Sequence, residues 1–288
     1  MRERRHPNEN YYAIFNNGIT LRFPIDASLP ILPLRYPEIE DISLGTRCLA
    51  NCSYCYTSAI KNGENYPDVL GKIRAHYGAL SLNERPFQVA LGGGGEPTMH
   101  PDFIAVLALF DELQIMPNYT TNGMHLNDDI LAATQKYSGG VAVSCHPHIE
   151  KVWRRAVVRY VEAGIKTHVH IIVGEAGSSD MFWRIYDSTE GLHNYVVLPY
   201  MAVGRGKAVE VEGEWDIFFK EACDRKVTNL AFGAHFYEYF LRNLALMREI
   251  GVSVYEPEVL SGYRLLDDSF NLLRKSSYDL SPKFAEVM

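Results

Sequence analysis

DISLGTRCLANCSYCY, residues 41–56, closes an apolar, strand-like run and holds three of the chain's five cysteines. Cys48, Cys52 and Cys55 are separated by three residues and then by two. Thiolates so close in one loop converge on a soft metal centre. A cubane [4Fe–4S] cluster normally takes four cysteines, one per iron, so three leave one iron open to another ligand. A structural zinc site is the competing reading, and it needs a fourth ligand at close spacing. His146 and His170 are candidates for that ligand, but neither sits in a finger-like pattern.

The C-x3-C-x2-C spacing, with the aromatic Tyr54 before the last cysteine, resembles the cluster loop of the radical S-adenosylmethionine (radical SAM) family. The resemblance implies a [4Fe–4S] cluster on Cys48, Cys52 and Cys55, with SAM chelating the open iron through its amino and carboxylate groups. It also implies that one electron from the reduced cluster cleaves SAM to methionine and a 5′-deoxyadenosyl radical, which abstracts hydrogen from a substrate. An electron donor such as flavodoxin or ferredoxin is then an implied partner.

The 288 residues are 47% hydrophobic and 22% charged, enough for a sizeable core in one large α/β domain. A net charge of -7 argues against a broad footprint on duplex nucleic acid. No apolar run approaches the roughly 18 residues of a membrane-spanning helix, and the N-terminus lacks a signal-peptide core. A cytoplasmic protein with reduced thiols is expected, with no membrane partner. Cys145 and Cys223 are too few for a second cubane, so no auxiliary cluster is expected. The basic start, Met1 to His6, reads as a solvated tail.

Tyr11–Phe15 and Ile19–Phe23 are β-rich runs joined by Asn16-Asn17-Gly18, a hairpin signal. A proline-spaced segment follows and completes an N-terminal extension over residues 1–36. From Glu38 strands and helices alternate. Strands are expected at 39–44, 87–91, 118–121, 140–144, 166–173 and 195–199. Helices are expected near 66–79, 101–113, 128–136, 149–163 and 179–186. Six βα units in a row argue for a parallel sheet but fall short of the eight in a closed barrel. The expected fold is a partial (β/α)6 TIM-like barrel over 37–212, which is also the core of the radical SAM family. An α+β extension over 213–288 follows, with helices at 215–223 and 235–250 and short strands at 252–255, 262–266 and 270–273.

In parallel barrels the chemistry gathers at the C-terminal strand ends, and the remaining motifs lie there. Strand two runs into Gly92-Gly93-Gly94-Gly95-Glu96-Pro97. Glycines admit a close backbone approach, and no Gly-Lys-Ser/Thr follows as a phosphate loop requires. By resemblance, Gly94, Gly95 and Glu96 grip the amino group of SAM. Strand three ends in Thr-Asn-Gly, where Asn122 is either a contact to SAM or substrate or part of a simple turn. Alternation on strand four points Ser144 and His146 inward and Cys145 outward, and Ser144 matches the family's ribose contact. Strand five places His168, His170 and Ile172 on one face. Ile172 and Gly174 fit the family's G-x-I-x-G-x-x-E pattern, while His170 and Gly177 replace its first glycine and its glutamate. Tyr54, Ser144, Ile172 and Leu198 surround adenosine by analogy. His146 and His170 are the candidates for substrate contact or proton transfer, against the plainer role of satisfying a loop carbonyl. Arg205, in a Gly-flanked loop, is either an anion ligand or a solvated side chain.

The expected activity is reductive cleavage of SAM followed by hydrogen abstraction from a small-molecule or nucleoside-like substrate. Radical modification of a ribosomally made peptide is the alternative, and a non-catalytic iron–sulfur redox protein is the rival from another class.

Overall fold

The computed structural model describes residues 1–227, 229–233, 236–249, 264–266 and 272–274. Its first three strands, β1 (Arg2–His6), β2 (Tyr11–Asn16) and β3 (Ile19–Pro24), form an antiparallel sheet in that order. Asn17 and Gly18 join β2 to β3 with φ of 48 and 84. Two positive angles are what a type I′ hairpin turn requires, hence the Asn-Gly pair.

The basic start is a strand and not a solvated tail. Arg4 is 1% exposed and donates to the carbonyls of Tyr36, Pro37 and Asn83. Arg2 donates to the carbonyls of Pro86 and Gln114. Both guanidinium groups lie 5.2 Å from the centre of the Phe87 ring. Below them Tyr11, Ala13, Phe15, Leu34 and Phe87 form a small core. Arg22 of β3 pairs with the buried Glu38 at 2.6 Å. These contacts meet the chain just before the barrel strands begin, so the hairpin sheet caps the N-terminal end of the barrel.

The barrel strands and helices then alternate: β4 (Ile39–Ile42), α1 (Val69–Gly78), β5 (Gln88–Leu91), α2 (Phe103–Glu112), β6 (Met116–Thr121) and α3 (Asp128–Tyr137). They continue with β7 (Gly140–Ser144), α4 (Glu150–Glu162), β8 (Thr167–Val173), α5 (Ser178–Ser188) and β9 (Asn194–Pro199). β4 to β9 lie side by side and parallel. Each crossover helix buries an apolar stripe on the sheet, as Phe103, Val106, Leu107 and Phe110 do in α2. Thr167, Val169, Ile171 and Val173 of β8 are buried on that outer side, and the alternate residues face the barrel interior.

The parallel order continues past the six expected strands. α6 (Glu212–Arg225) leads into β10 (Leu230–Phe232), which pairs in parallel with β9. Its three residues are too short a run to read as a strand from sequence. Where one helix is expected over 235–250, two occur: α7 (Tyr237–Arg242) and α8 (Leu244–Glu249). Asn243 separates them, its side-chain amide donating to the Tyr239 carbonyl at 2.9 Å, a local bond that competes with the helix ladder. β11 (Arg264–Leu266) extends the opposite edge in parallel with β4, and β12 (Leu272–Arg274) pairs antiparallel with β11. The strand expected at 252–255 lies outside the described residues. Among those residues no helix is long and apolar enough to cross a membrane.

Candidate active site

The loop after β4 and the C-terminal ends of β5 to β9 enclose one cavity of ≈ 460 Å³. Cys48, Cys52 and Cys55 all line it, and none of the five cysteines is bridged. Burial, followed by the charges of the neighbouring sulfurs, pushes the Cys52 thiol up to about 12, and burial also raises Cys48. Three thiolates held this close repel one another, so the loop calls for a cationic centre to hold them. Among the described residues no group of three His, Cys, Asp or Glu side chains is placed round a single metal ion.

The loop is held from outside. Arg205 donates through Nε to the Cys52 carbonyl at 3.0 Å and through Nη1 to the Ala59 carbonyl at 2.7 Å. Its backbone N–H donates to the Cys55 carbonyl at 3.0 Å. Arg205 is therefore engaged as a clamp on the cysteine loop.

The glycine–glutamate turn packs directly on the same loop. A Cβ on Gly94 would lie 2.0 Å from Ser43 Oγ, and one on Gly95 would lie 2.4 Å from the Arg47 carbonyl. Only glycine permits this approach, which lets Gly95 N–H and Glu96 N–H donate to the carbonyls of Gly45 and Arg47. Glu96 is 6% exposed. Its Oε1 accepts from Thr98 Oγ1 at 2.5 Å, Thr98 N–H at 3.3 Å and Thr121 Oγ1 at 2.7 Å. Among the described residues its Oε2 accepts only from Asn122 N–H, at 2.8 Å, and keeps a lone pair for a donor in the cavity. Burial raises this carboxyl above the usual range, and the donors from Asn122, Thr98 and Thr121 partly offset it.

Ser144, His146, His170, Ile172 and Leu198 also line the cavity, together with Tyr54 and Asn122. Ser144 and His170 are register partners on adjacent strands. His170 is partly buried on the cavity wall, and burial lowers its imidazole to about 4. No hydrogen bond to its ring occurs among the described residues. His146 Nδ1 lies 3.0 Å from Tyr54 Oη, and burial, then the nearby His148, lowers it to about 4 as well. Both rings are therefore neutral at pH 7. His168 faces the same interior but sits a rung lower, against His193, and does not reach the cavity. Cys145 is buried in the hydrophobic core and also lines the cavity.

Sequence reasoning passed over three contributors. Thr57 stands two residues past Cys55, with Oγ1 at 3.3 Å from Cys55 Sγ, and donates to the Gly94 carbonyl at 2.9 Å. Thr121 holds Glu96. Glu175 follows the glycine that ends β8 and lines the cavity mouth; its position two residues before Gly177 was the available signal.

The model for the radical SAM superfamily matches residues 42–188, just over half of the chain. The chain therefore belongs to the radical SAM superfamily, a family of enzymes that implies SAM and an iron–sulfur cluster. No curated protein matches the sequence. Among solved structures, Streptococcus suis SuiB bound to the precursor peptide SuiA is similar, with a TM-score of 0.66 at 15% identity over 87% of this chain and 62% of that one. SuiB bound to S-adenosylmethionine gives a TM-score of 0.61 at 15% identity, over 83% and 60% of the two chains. His6-tagged anSMEcpe with bound AdoMet gives 0.59 at 15% identity, over 84% and 74%. At such identities the likeness speaks for the fold alone. The chain spans about three-fifths of the length of SuiB.

Proposed function

We propose that this chain cleaves SAM reductively at a [4Fe–4S] cluster and abstracts hydrogen from a substrate bound in the barrel. The observation that carries this is the opening of Cys48, Cys52, Cys55 and Glu96 onto one cavity. When bound, the reduced cluster supplies the electron that converts SAM to methionine and a 5′-deoxyadenosyl radical. The protein's own share is positional. The three cysteines hold three irons, and the spare lone pair of Glu96 Oε2 receives the methionyl ammonium. Gly94 and Gly95 bring that carboxylate against the cluster loop. Tyr54, Ser144, Ile172 and Leu198 flank adenosine, and His146 and His170 face the substrate as neutral hydrogen-bonding groups. Enclosure by the barrel keeps water from the reacting carbon.

The substrate group that enters the barrel is uncharged or cationic. Among the described lining residues there is no lysine or arginine, while Asp41, Glu96 and Glu175 are carboxylates. A phosphate or carboxylate would find no counter-ion among these protein side chains, which disfavours it. The cavity of ≈ 460 Å³ lies in the range of small-ligand sites, roughly 300–1,000 Å³, and the cluster and SAM would share it with the substrate. A small molecule or nucleoside without phosphate, of which only the reacting group need enter, is the first reading. A peptide that inserts one side chain is the second, supported by the likeness of the fold to SuiB in complex with a precursor peptide. β3 offers an apolar strand edge, with Ile19 and Leu21 64% and 55% exposed. That edge lies at the N-terminal end of the barrel, however, away from the cavity mouth.

Anaerobically reconstituted protein, given SAM and dithionite, is expected to form 5′-deoxyadenosine detectable by chromatography. A full cluster that binds no SAM would overturn the reading in favour of a redox protein. SAM binding without cleavage would require substrate screening, with deuterium exchange from candidate substrates into 5′-deoxyadenosine as the readout.

A further inference from the structure

Each of the three loop-cysteine sulfurs meets one polar side chain among the described residues, and the three side chains come from different parts of the fold. Thr57 Oγ1 lies 3.3 Å from Cys55 Sγ, Asn122 Nδ2 3.5 Å from Cys48 Sγ, and His148 Nε2 3.9 Å from Cys52 Sγ. They are not equivalent. His148 Nε2 is already committed to the Ala50 carbonyl at 2.6 Å, so the sulfur receives only a long second branch. Thr57 has a single hydroxyl proton, and the Gly94 carbonyl takes it at 2.9 Å.

Asn122 is fully determined. Its Oδ1 accepts from Met124 N–H at 2.9 Å. Flipping the amide would oppose two donors there, so Nδ2 must be the atom that faces Cys48. Its backbone N–H donates to Glu96 Oε2 at 2.8 Å, and the residue is 4% exposed. One buried side chain thus reaches a sulfur while its own main chain holds the carboxylate. Its side-chain acceptor is consumed internally, and one amide N–H is spent on sulfur.

We propose that Asn122 is a positioning residue of the cluster: its side-chain N–H donates to Cys48 Sγ and raises the cluster's reduction potential, and its side chain does not bind SAM or substrate. This rests on the cluster reading above. A donor to a ligand sulfur withdraws charge and stabilises the reduced, more negative cluster. Losing the donor makes the cluster harder to reduce.

The test uses the full chain, reconstituted anaerobically, with iron and sulfide content measured first. The midpoint potential is read by a redox titration followed by EPR, and SAM affinity by equilibrium dialysis. Asn122→Ala removes the amide. Asn122→Asp keeps an acceptor for Met124 and the backbone donor for Glu96, but turns a carboxylate oxygen toward the sulfur. Full iron content, a potential shifted negative in both variants and further in Asn122→Asp, and unchanged SAM affinity for Asn122→Ala are expected. An unchanged potential at full iron content would overturn the proposal. So would lost SAM affinity at an unchanged potential, which would make Asn122 a SAM ligand. A measurement on the unmutated chain covers the case in which neither variant assembles a cluster. With asparagine labelled with 15N at Nδ2 and no SAM present, pulsed EPR of the reduced cluster should show a 15N coupling, and its absence overturns the proposal.

Discussion

Replacing Glu96 by Gln removes one charge and almost no volume. The carboxylate has two unequal oxygens. Oε1 already accepts three hydrogen bonds from Thr98 and Thr121, whereas Oε2 accepts one from Asn122. A glutamine keeps its carbonyl where three donors converge and must place its NH2 at the Oε2 position. There it faces Asn122 N–H and, in the complex, the SAM ammonium, so donors oppose donors. A hydrogen bond to a charged group contributes about 1.5–3 kcal/mol. At roughly 1.4 kcal/mol per decade, its loss should weaken SAM binding about 10- to 150-fold. Equilibrium dialysis against SAM, on variant protein with the iron content of the unmutated chain, reads this directly. An affinity within about 3-fold of the original would be less than a kcal/mol and would refute the placement of the ammonium on Oε2. The pH dependence carries the same sign. Burial raises the carboxyl of Glu96, and the bound ammonium favours the carboxylate, so binding expels a proton wherever Glu96 is still protonated. SAM affinity should fall on acidification and level off above the carboxyl's pKa, and Glu96→Gln should flatten that dependence.

Three further outcomes follow from other contacts. Arg205→Met deletes two side-chain bonds to the carbonyls of Cys52 and Ala59, each worth about 1.5–3 kcal/mol; faster loss of iron to a chelator is expected, with Arg205→Lys intermediate, and an unchanged rate would show that the loop holds itself. Burial lowers His146 and His170 to about 4, so their contribution to stability is present above the ordinary value near 6.5 and is lost as pH falls toward about 4, by roughly 2–3 kcal/mol for the partly buried His170 ring. Urea midpoints should therefore drop between pH 7.5 and 5, less so in His170→Gln, and parallel behaviour of the two proteins would contradict this. Arg4→Met strands three backbone carbonyls beneath the barrel and should cost about 2–4 kcal/mol of unfolding free energy; a urea midpoint equal to that of the unmutated protein would mean that water replaces the guanidinium.

What could be read in the sequence, and what could not, separates by the range of the interactions involved. Val141 and Val143 alternate with Ala142 and Ser144, and that period of two assigns a strand and its inner face from neighbours alone. The same holds for His168, His170 and Ile172, which share the interior of β8. The cysteine loop and the glycine–glutamate turn were legible because each is contiguous and each carries chemistry that its neighbours cannot supply. β10 escaped because Leu230-Ala231-Phe232 is too short to show a period. The arginines escaped for a deeper reason. Arg2 and Arg4 alternate as strand residues do, yet their charge reads as solvent exposure, since buried arginine is rare unless its donors are satisfied. What takes most of their donors is a set of backbone carbonyls 32 to 112 residues away. Arg205 clamps the cysteine loop from a distance of 153 residues in the same way. A carbonyl acceptor has no side-chain identity, so no residue pattern announces it. A clamp of this kind becomes visible only when the chain crossing has been placed in space. In this protein those clamps hold the two ends of the barrel: the hairpin sheet under the strand starts, and the cysteine loop over the strand ends.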